Sequence, residues 1–349
     1  MSAQLAPWLE RAFARAQGLP AHAVLLHGDG MLGQLELGLA LARAALCEAP
    51  QGGLACGRCA ACHLFDQRAH PDGLRLIPDA LRERLGWAAM DEGGGDKKTK
   101  PSRDIKVDAV RRGIDWSQQT SSRGRAKQWL IHPAEAMNET AANALLKTLE
   151  EPPGRLRLLL TASDAETLLP TVRSRCQRVG IERPSTDEAV AWLRAQGIET
   201  HPERLLTAAG GIPQAALALH AEGIDAAAWV QVPALVQSGQ AGPLSGWPVA
   251  RVVEALHKLC HDLLLTQAGG APRFYPVEAL QVLQRPALPA AEALVAWEAE
   301  LRRAARHDEH PWHAALRIEA LVAQAAAPWQ TARGGPTARG RALATLPGR

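Results

Sequence analysis

Short apolar runs alternate with longer amphipathic stretches over the first half of the chain. The runs AVLLH (23–27), QWLIH (128–132) and LRLLLT (156–161) have strand length, and each is followed by glycine, proline or polar residues. Helical patterns lie between these runs. Alternating strands and helices predict a parallel sheet with helices on both faces, in which the loops after the strands form the ligand crevice.

The pattern is helical from about residue 185 onward, where Ser185 is the expected N-cap and Glu188 is in the capping-box position. Residues 91–103 contain no large apolar side chain, and residues 331–349 are rich in Gly, Arg and Thr. Both compositions predict disorder. The predicted organisation is an α/β nucleotide-binding-like domain at 1–182 with a disordered insertion at 91–103, a small helical lid domain at 183–222, a C-terminal helical bundle at 223–330 and a disordered tail at 331–349.

Composition supports a helix-rich protein of two or three domains. The 349 residues are 47% apolar but only 4% aromatic, and Ala and Leu dominate. Lys and Arg number 39 against 36 acids, but residues 331–349 contribute four arginines and no acid. The rest of the chain is therefore nearly neutral. This balance argues against a protein that holds nucleic acid alone through a broad basic face.

The sequence contains no uninterrupted apolar run of about 18 residues, so we expect no membrane span. Its first 17 residues, MSAQLAPWLERAFARAQ, carry charges throughout and do not resemble a secretory signal. Four of six cysteines are crowded between Cys47 and Cys62, which suits a metal site in a reducing compartment better than a disulfide framework. We expect a cytoplasmic protein.

The stretch HGDGMLGQLE (27–36) begins like a phosphate-binding loop. Gly28 and Gly33 keep the spacing of G-x-x-x-x-G-K-[ST], but Gln34 and Leu35 replace the lysine and the hydroxyl residue. The cation that would balance a triphosphate and the ligand of Mg²⁺ are thus both missing. Weak nucleotide binding through backbone N–H groups remains open.

The cysteine cluster has the spacing C-x₈-C-x₂-C-x₂-C, formed by Cys47, Cys56, Cys59 and Cys62. Two successive x₂ gaps let three thiolates converge on one ion, and the longer segment lets Cys47 fold back as the fourth ligand. A closed Cys₄ set predicts one structural zinc, with reduced free thiols as the alternative. A bacterial ferredoxin cluster would place its fourth cysteine downstream, before proline.

The remaining histidines, cysteines and basic residues that bear on the metal prediction are few. His63 and His70 are possible substitute ligands, although four thiols suffice. Cys176 and Cys260 are isolated in the sequence, and we expect both to be buried, inert thiols. Arg58 is the one Lys or Arg from 47 to 62, which argues against a zinc-dependent DNA-binding module as the main function.

The segment NETAANALLKTLEEPP (138–153) has the pattern of an amphipathic helix that ends at proline, with Glu150 and Glu151 facing solvent. Together with LLLTASDAETLLPTVRSRC (158–176), it closely resembles the clamp-loader branch of the AAA+ ATPases. Within that branch, roughly residues 5–327 resemble the family of delta-prime subunits of bacterial DNA polymerase III. The resemblance implies an AAA+ P-loop-type domain, a helical lid and a helical collar domain that mediates oligomerisation.

The resemblance also implies where a nucleotide site would be completed. His132 and Pro133 occupy the positions of the magnesium-orienting and water-activating carboxylates, and Pro213 that of an arginine that senses the γ-phosphate. Thr161 and Ser163 occupy the first sensor region, where we expect hydroxyls that are satisfied within a strand end. Because lysine, hydroxyl, acidic pair and sensor all fail together, no functional ATP or Mg²⁺ site is expected.

Arg175 lies in the string Ser174-Arg175-Cys176, whose arginine in clamp-loader relatives projects into the neighbouring subunit's ATP site as a finger. We expect Arg173 and Arg178 to be solvated or salt-bridged at the surface. The implied function is an ATP-inert delta-prime subunit with gamma/tau and delta subunits as partners. It would reach the sliding clamp and primer-template DNA through the assembled complex. A self-sufficient AAA+ ATPase is the alternative.

Overall fold

The computed structural model describes residues 5–30, 32–87, 101–284, 288–306 and 313–333. The chain divides into two compact units, 1–188 and 189–349. The helices and strands up to the boundary are Pro7–Gln17 (α1), Ala23–His27 (β1), Gln34–Leu46 (α2), Ala60–Asp66 (α3), Gly73–Leu76 (β2), Asp79–Arg84 (α4), Val107–Gln118 (α5), Lys127–Ile131 (β3), Glu139–Glu150 (α6), Leu156–Ala162 (β4), Pro170–Arg173 (α7) and Gln177–Gly180 (β5).

The regular secondary structure in the rest of the described chain consists of α-helices and short 3-10 turns. They are Thr186–Ala195 (α8), Pro202–Ala208 (α9), Pro213–Ala221 (α10), Ala226–Ser238 (α11), Val249–Gln267 (α12), Val277–Leu280 (α13), Ala291–Arg306 (α14) and Ala314–Arg333 (α15).

The first unit contains a five-stranded parallel sheet in the order β2-β3-β4-β1-β5. All five residues of β3 are buried, as expected for a strand covered on both faces. The predicted parallel α/β fold is therefore confirmed. Strands β2 and β5 were not predicted, because each has only four residues and carries an exposed or half-buried arginine.

Parallel strands give the sheet two chemically different edges. In the pairing of β1 with β5, Val24 is opposite Gln177 and His27 is opposite Gly180. The loops after β1, β3 and β4 therefore lie at the carboxyl edge, while the segment before β5 lies at the amino edge. Residues that precede β5 are separated from the loop after β1 by the length of the strands, about 13 Å for four residues.

Helix α5 packs closely on β3 because Gly113 faces the indole of Trp129. A Cβ atom at position 113 would lie 2.1 Å from Cζ2 of Trp129. The Trp129 ring is fully buried and contacts Trp116 edge to face, with 6.5 Å between ring centroids. A side chain of any size at position 113 would thus force the helix away from the sheet.

The second unit has a hydrophobic core that its described residues share from Ala189 to Trp329. Trp229 stacks on Tyr275 and on Trp247, with centroid distances of 5.2 and 6.1 Å. The fully buried carboxylate of Asp262 accepts hydrogen bonds from the backbone N–H groups of residues 273–275, which fixes the turn that brings Tyr275 to this stack. The separation into a lid at 183–222 and a collar domain at 223–330 remains a prediction.

The two segments expected to be disordered fall largely outside the described residues. Of the insertion 91–103, residues 101–103 are described, and the Oγ of Ser102 accepts a hydrogen bond from the backbone N–H of Asp104. Of the tail 331–349, the first three residues complete helix α15.

We expect Gly113→Ala to lower the free energy of unfolding by about 1–3 kcal/mol, because the new methyl group overpacks against Trp129. Urea unfolding of the purified chain measures the effect. Gly18→Ala is the control, since a Cβ there meets its nearest atom at 3.7 Å and the backbone is right-handed helical. Equal stabilities of the two variants would contradict the close packing of α5 on β3.

Candidate functional site

The glycine loop connects β1 to α2, as the sequence predicts for a phosphate-binding loop. Gly30 and Gly33 have φ values of 58° and 98°, in the left-handed region that favours glycine. Gly33 is the N-cap of α2, so the helix begins at Gln34. Residue 31 lies outside the described residues. The loop thus keeps the strand-loop-helix geometry in which backbone N–H groups and a helix N-terminus face an anion.

The side chain of Gln34 is directed into this loop and is 95% buried, with a relative exposure of 5%. Its amide nitrogen donates hydrogen bonds to the carbonyl oxygens of Gly28 at 2.6 Å and Gly30 at 2.7 Å, and lies 3.4 Å from that of Ala162 on β4. A neutral amide therefore holds the loop together at the position where an active relative has a lysine.

The chain itself packs against the loop from both sides. Leu32 is fully buried, and its carbonyl oxygen accepts a hydrogen bond from Nε1 of Trp8 at 3.0 Å. A Cβ atom on Gly28 would lie 2.9 Å from the carbonyl oxygen of Ile181. Arg183 pairs with Asp29 at 2.9 Å. Leu35 is half-buried on the first turn of α2 and offers no oxygen to a cation.

His132 and Thr161 meet at the carboxyl edge of the sheet. Nδ1 of His132 lies 2.6 Å from Oγ1 of Thr161, which also lies 3.4 Å from the carbonyl oxygen of Ile131. Burial lowers the pKa of His132 to about 4, so the imidazole is neutral at pH 7. Pro133 follows without a polar side chain. A neutral ring and a pyrrolidine bring no negatively charged oxygen, which is the kind of ligand that Mg²⁺ prefers.

Glu135 is a carboxylate near this edge that sequence reasoning missed. Its Oε1 accepts hydrogen bonds from the backbone N–H of Ser163 at 2.8 Å and from the hydroxyl of Ser163 at 2.6 Å. The string HPAE offered a signal, since it carries an acid four residues after the end of β3 at Ile131. Pro213 belongs to the second unit, where it is buried at the first position of α10.

The four predicted metal ligands come together. The sulfur atoms of Cys47, Cys56, Cys59 and Cys62 all lie within 4.8 Å of one another, and those of Cys47 and Cys59 are 3.9 Å apart. Tetrahedral ligation with Zn–S bonds of 2.3 Å places sulfurs ~3.8 Å apart, so the group fits an ion of that kind. Neither His63 nor His70, both in the described part of the chain, belongs to this group of ligands.

Backbone N–H groups and burial shift the pKa values of two of these thiols in opposite directions. The backbone N–H of Arg58 lowers the pKa of Cys56 to about 6, whereas burial raises the pKa of Cys62 to about 12. Backbone N–H groups donate to the sulfurs of Cys47 at 3.2 Å and Cys59 at 3.4 Å. A bound cation would add to these interactions by stabilising all four thiolates.

The cysteine group lies at the far end of α2 from the glycine loop. Cys47 is the C-cap of this 13-residue helix, which spans about 20 Å. The adjacent Glu48 connects the group to the loop before β3: its side chain pairs with Arg123, and its carbonyl oxygen accepts from Arg125 at 3.2 Å. An ion held here is thus too distant to act on a ligand at the glycine loop.

Arg175 lies at the opposite edge of the sheet from the glycine loop, two residues before β5. Its Nε donates to Oε1 of Glu150 at 2.6 Å, and its Nη1 donates to the carbonyl oxygen of Thr171 at 2.8 Å. Glu150, expected to face solvent, is half-exposed and forms this ion pair. Arg175 is therefore held at the amino edge of the sheet, away from the glycine loop of its own chain.

The neighbours of Arg175 behave as the sequence indicates. Arg173 and Arg178 both pair with Glu166 at the surface. Cys176 and Cys260 are buried, and burial raises the pKa of each thiol to about 12. Both thiols therefore stay protonated at neutral pH and are poor nucleophiles.

A parallel sheet with a glycine loop between an inner strand and a helix defines an α/β domain of the P-loop type. The chain belongs to the family described as DNA polymerase III, delta subunit, whose family model matches residues 4–185.

Individual relatives agree with this assignment. A DNA polymerase III subunit delta' from Pseudomonas aeruginosa is 36% identical over 64% of this chain and 63% of the relative. Its namesake from Escherichia coli is 34% identical over 61% and 60%. A subunit tau from Escherichia coli is 29% identical over 44% of this chain and 20% of the relative. The chain thus spans less than two thirds of the length of the delta' relatives it matches.

A solved structure of a DNA polymerase III gamma subunit-related protein from Thermotoga maritima matches with a TM-score of 0.43 at 15% identity. The match covers 92% of this chain and 99% of that protein. Among the helices of the described residues, none has the length and apolar character needed to cross a membrane.

Replacing Cys59 by serine should release the metal and lower the free energy of unfolding, because a hydroxyl binds zinc much more weakly than a thiolate does. Cys59 is also the N-cap of α3, a role that serine fills well, so lost helix capping would not explain the effect. Metal content is measured by elemental analysis and stability by thermal unfolding. Metal affinity should also fall at low pH, because the ligands are thiolates.

The matched control is Cys260→Ala, which should keep the metal whatever its effect on the second unit's core. One equivalent of zinc in the parental chain is the expected content. The assignment would be contradicted if the parental chain contains iron instead of zinc. It would also be contradicted if the parental chain is purified without metal and is no more stable than Cys59→Ser.

Proposed function

We propose that this chain is an ATP-inert delta-prime subunit of a bacterial clamp loader, and that it supplies Arg175 to the ATP site of a neighbouring subunit. Its family membership supports the assembly role. The single observation that carries the inert character is Gln34, whose neutral amide is bonded to the loop carbonyls where a catalytic lysine would be.

Loss of charge at the glycine loop is the physical basis of the inert character. Phosphoryl transfer depends on a lysine, a metal ion with its ligands and a group that orients the nucleophile. Gln34, Leu35, His132 and Pro133 supply neither the lysine nor a carboxylate or hydroxyl ligand for the metal. Leu32, Ile181 and Trp8 pack around the loop. The loop keeps the shape of an ATPase without its electrostatics.

Sheet topology supports a role of Arg175 in trans. Arg175 precedes β5 at the amino edge, whereas the glycine loop follows β1 at the carboxyl edge. In a ring of like subunits, an arginine at this edge faces a neighbour and not its own site. A guanidinium is always charged and forms forked hydrogen bonds to phosphate oxygens, so it suits the stabilisation of a γ-phosphate.

The metal has a structural role in this proposal. We assign zinc to the Cys₄ group because the ligands are all thiolates and leave no open position. Zinc held there would join the end of α2 to the start of α3. Cations near the group are matched by acids, with Arg43 paired to Asp66 and Arg123 to Glu48, so a zinc-dependent DNA-binding module is not favoured.

The proposed partners are gamma/tau ATPase subunits and a delta subunit in the cytoplasm, with the helical second unit providing a collar contact. The sliding clamp and primer-template DNA would be engaged through the assembly. The relatives named gamma and tau support the idea of a shared fold among neighbouring subunits. Mixing the purified chain with these candidate subunits tests the proposal, and failure to form a defined complex would reject it.

The purified chain should show no ATP turnover and no tight ATP binding. Restoring the cation alone with Gln34→Lys should not produce hydrolysis, because the acidic pair is still missing at His132 and Pro133. Release of phosphate and titration with a fluorescent ATP analogue are the measurements. Turnover that persists through further purification would favour the self-sufficient ATPase instead.

In an assembled complex, Arg175→Ala should slow ATP-dependent clamp loading and inactivate the adjacent site. Fingers supplied in trans are worth roughly 10³–10⁵ in rate at one site, but total ATPase should fall less because other sites remain. Arg175→Lys should restore little, since a point charge cannot form the fork.

Arg173→Ala is the control for this experiment, because Arg173 is already engaged by Glu166 and belongs to the same short segment. It should load clamps at nearly the parental rate. Arg175→Ala that assembles fully and also loads at the parental rate would show that Arg175 is an ordinary surface arginine.

A further inference from the structure

The guanidinium of Arg175 is held by its own chain from two sides. On one side, Oε1 of Glu150 accepts from Nε at 2.6 Å and also contacts Nη2. On the other side, Nη1 donates to the carbonyl oxygen of Thr171 at 2.8 Å and lies 3.3 Å from Oγ of Ser174. Glu150 is the last residue of α6, so the contact joins two separate elements.

These contacts leave Arg175 able to bind a further oxygen. The contacts to Glu150 and Thr171 engage three of the five N–H groups of the guanidinium. The contact to Ser174 is the longest of the set at 3.3 Å, so two N–H groups are left for a fork when a phosphate oxygen takes the place of Ser174. The side chain also retains 32% relative exposure, so one side of it is open. An arginine side chain otherwise has many rotamers, and a carboxylate that holds Nε removes most of them before any partner arrives.

We propose that Glu150 is a positioning residue for Arg175, which fixes the guanidinium in the orientation from which it reaches a neighbour's ATP. The inference rests on the proposed function, because it requires Arg175 to act in trans. A donor that is oriented in advance has no reorganisation cost when charge develops on the phosphate. Glu150 thus acts through Arg175 and does not touch the nucleotide.

The pair has little effect on folding, which makes it accessible to mutation. The side chains of Glu150 and Arg175 are 48% and 32% exposed, and exposed ion pairs contribute little to stability. Glu151 offers a matched control. It carries the same charge one residue further on and is exposed, and in the described parts of the chain its side chain is not bonded to Arg175.

The test compares the reconstituted complex with the complexes that carry Glu150→Ala, Glu150→Gln, Glu151→Ala or Arg175→Ala. For Glu150→Ala, we expect kcat for ATP at the adjacent site to fall about tenfold, with KM changed less than about twofold. The reason is that a displaced finger stabilises the transition state less, while binding of ATP in the ground state is nearly unchanged. Glu150→Gln should restore most of the rate, since its amide oxygen still accepts from Nε. Glu151→Ala should match the parental complex.

The double variant Glu150→Ala with Arg175→Ala should be no slower than Arg175→Ala alone, because a positioning residue has nothing to position once the finger is gone. A further loss in the double variant would show that Glu150 acts by another route, which overturns the inference. Thermal unfolding of each isolated chain checks the fold. If Glu150→Ala does not fold, Glu150→Asp, which withdraws the carboxylate by one methylene, carries the same expectation of a lower kcat.

The outcomes separate this inference from the proposed function. Parental rates for Arg175→Ala would reject the finger itself. A slow Arg175→Ala complex with a parental Glu150→Ala complex would keep the finger and reject positioning. A Glu150→Ala complex that is faster than the parent would also reject it, because Glu150 would then restrain Arg175 and not orient it.

Discussion

The parallel direction of all five strands is the constraint on which the functional geometry depends. Because β1, β3 and β4 end at the same edge, the glycine loop, His132 and Thr161 are brought together there. The same constraint sends the segment before β5 to the other edge, where Arg175 meets the end of α6. One sheet therefore separates the glycine loop, which holds the neutral Gln34, from a surface that carries Arg175 in its ion pair with Glu150.

In the proposed ATP-inert site, hydrogen bonds within the chain hold the glycine loop in shape. In an ATPase the lysine is balanced by phosphate, so an empty loop with a buried cation would be costly. Gln34 avoids this cost, because its neutral amide donates to the carbonyl oxygens of Gly28 and Gly30. The neutral imidazole of His132 has the same effect beside Thr161. In the proposed site, both residues therefore form hydrogen bonds that are satisfied without a ligand, at positions where an ATPase has ionic groups.

Local sequence predicted those parts of the molecule that depend on neighbouring residues. The apolar runs gave β1, β3 and β4, and the spacing of the cysteines gave a group whose sulfurs converge. Strands β2 and β5 escaped prediction because their position in the sheet, and not their composition, makes them strands. The Glu150–Arg175 contact also could not be read from the sequence, since it joins residues 25 positions apart whose meeting depends on how α6 and β5 pack.

In the proposed ring of ATPase subunits, an inert loop and an oriented arginine have a joint consequence. A subunit that binds and releases ATP changes the interactions at its own carboxyl edge during each cycle. Here Gln34 is bonded within the loop and Trp8 donates to the carbonyl oxygen of Leu32, so in the proposed assembly the carboxyl edge does not change with a nucleotide cycle. In the proposed assembly the amino edge with Arg175 is thus a constant surface. The neighbour's ATP site would then respond to its own nucleotide and to its position against this surface, and not to a cycle within this chain.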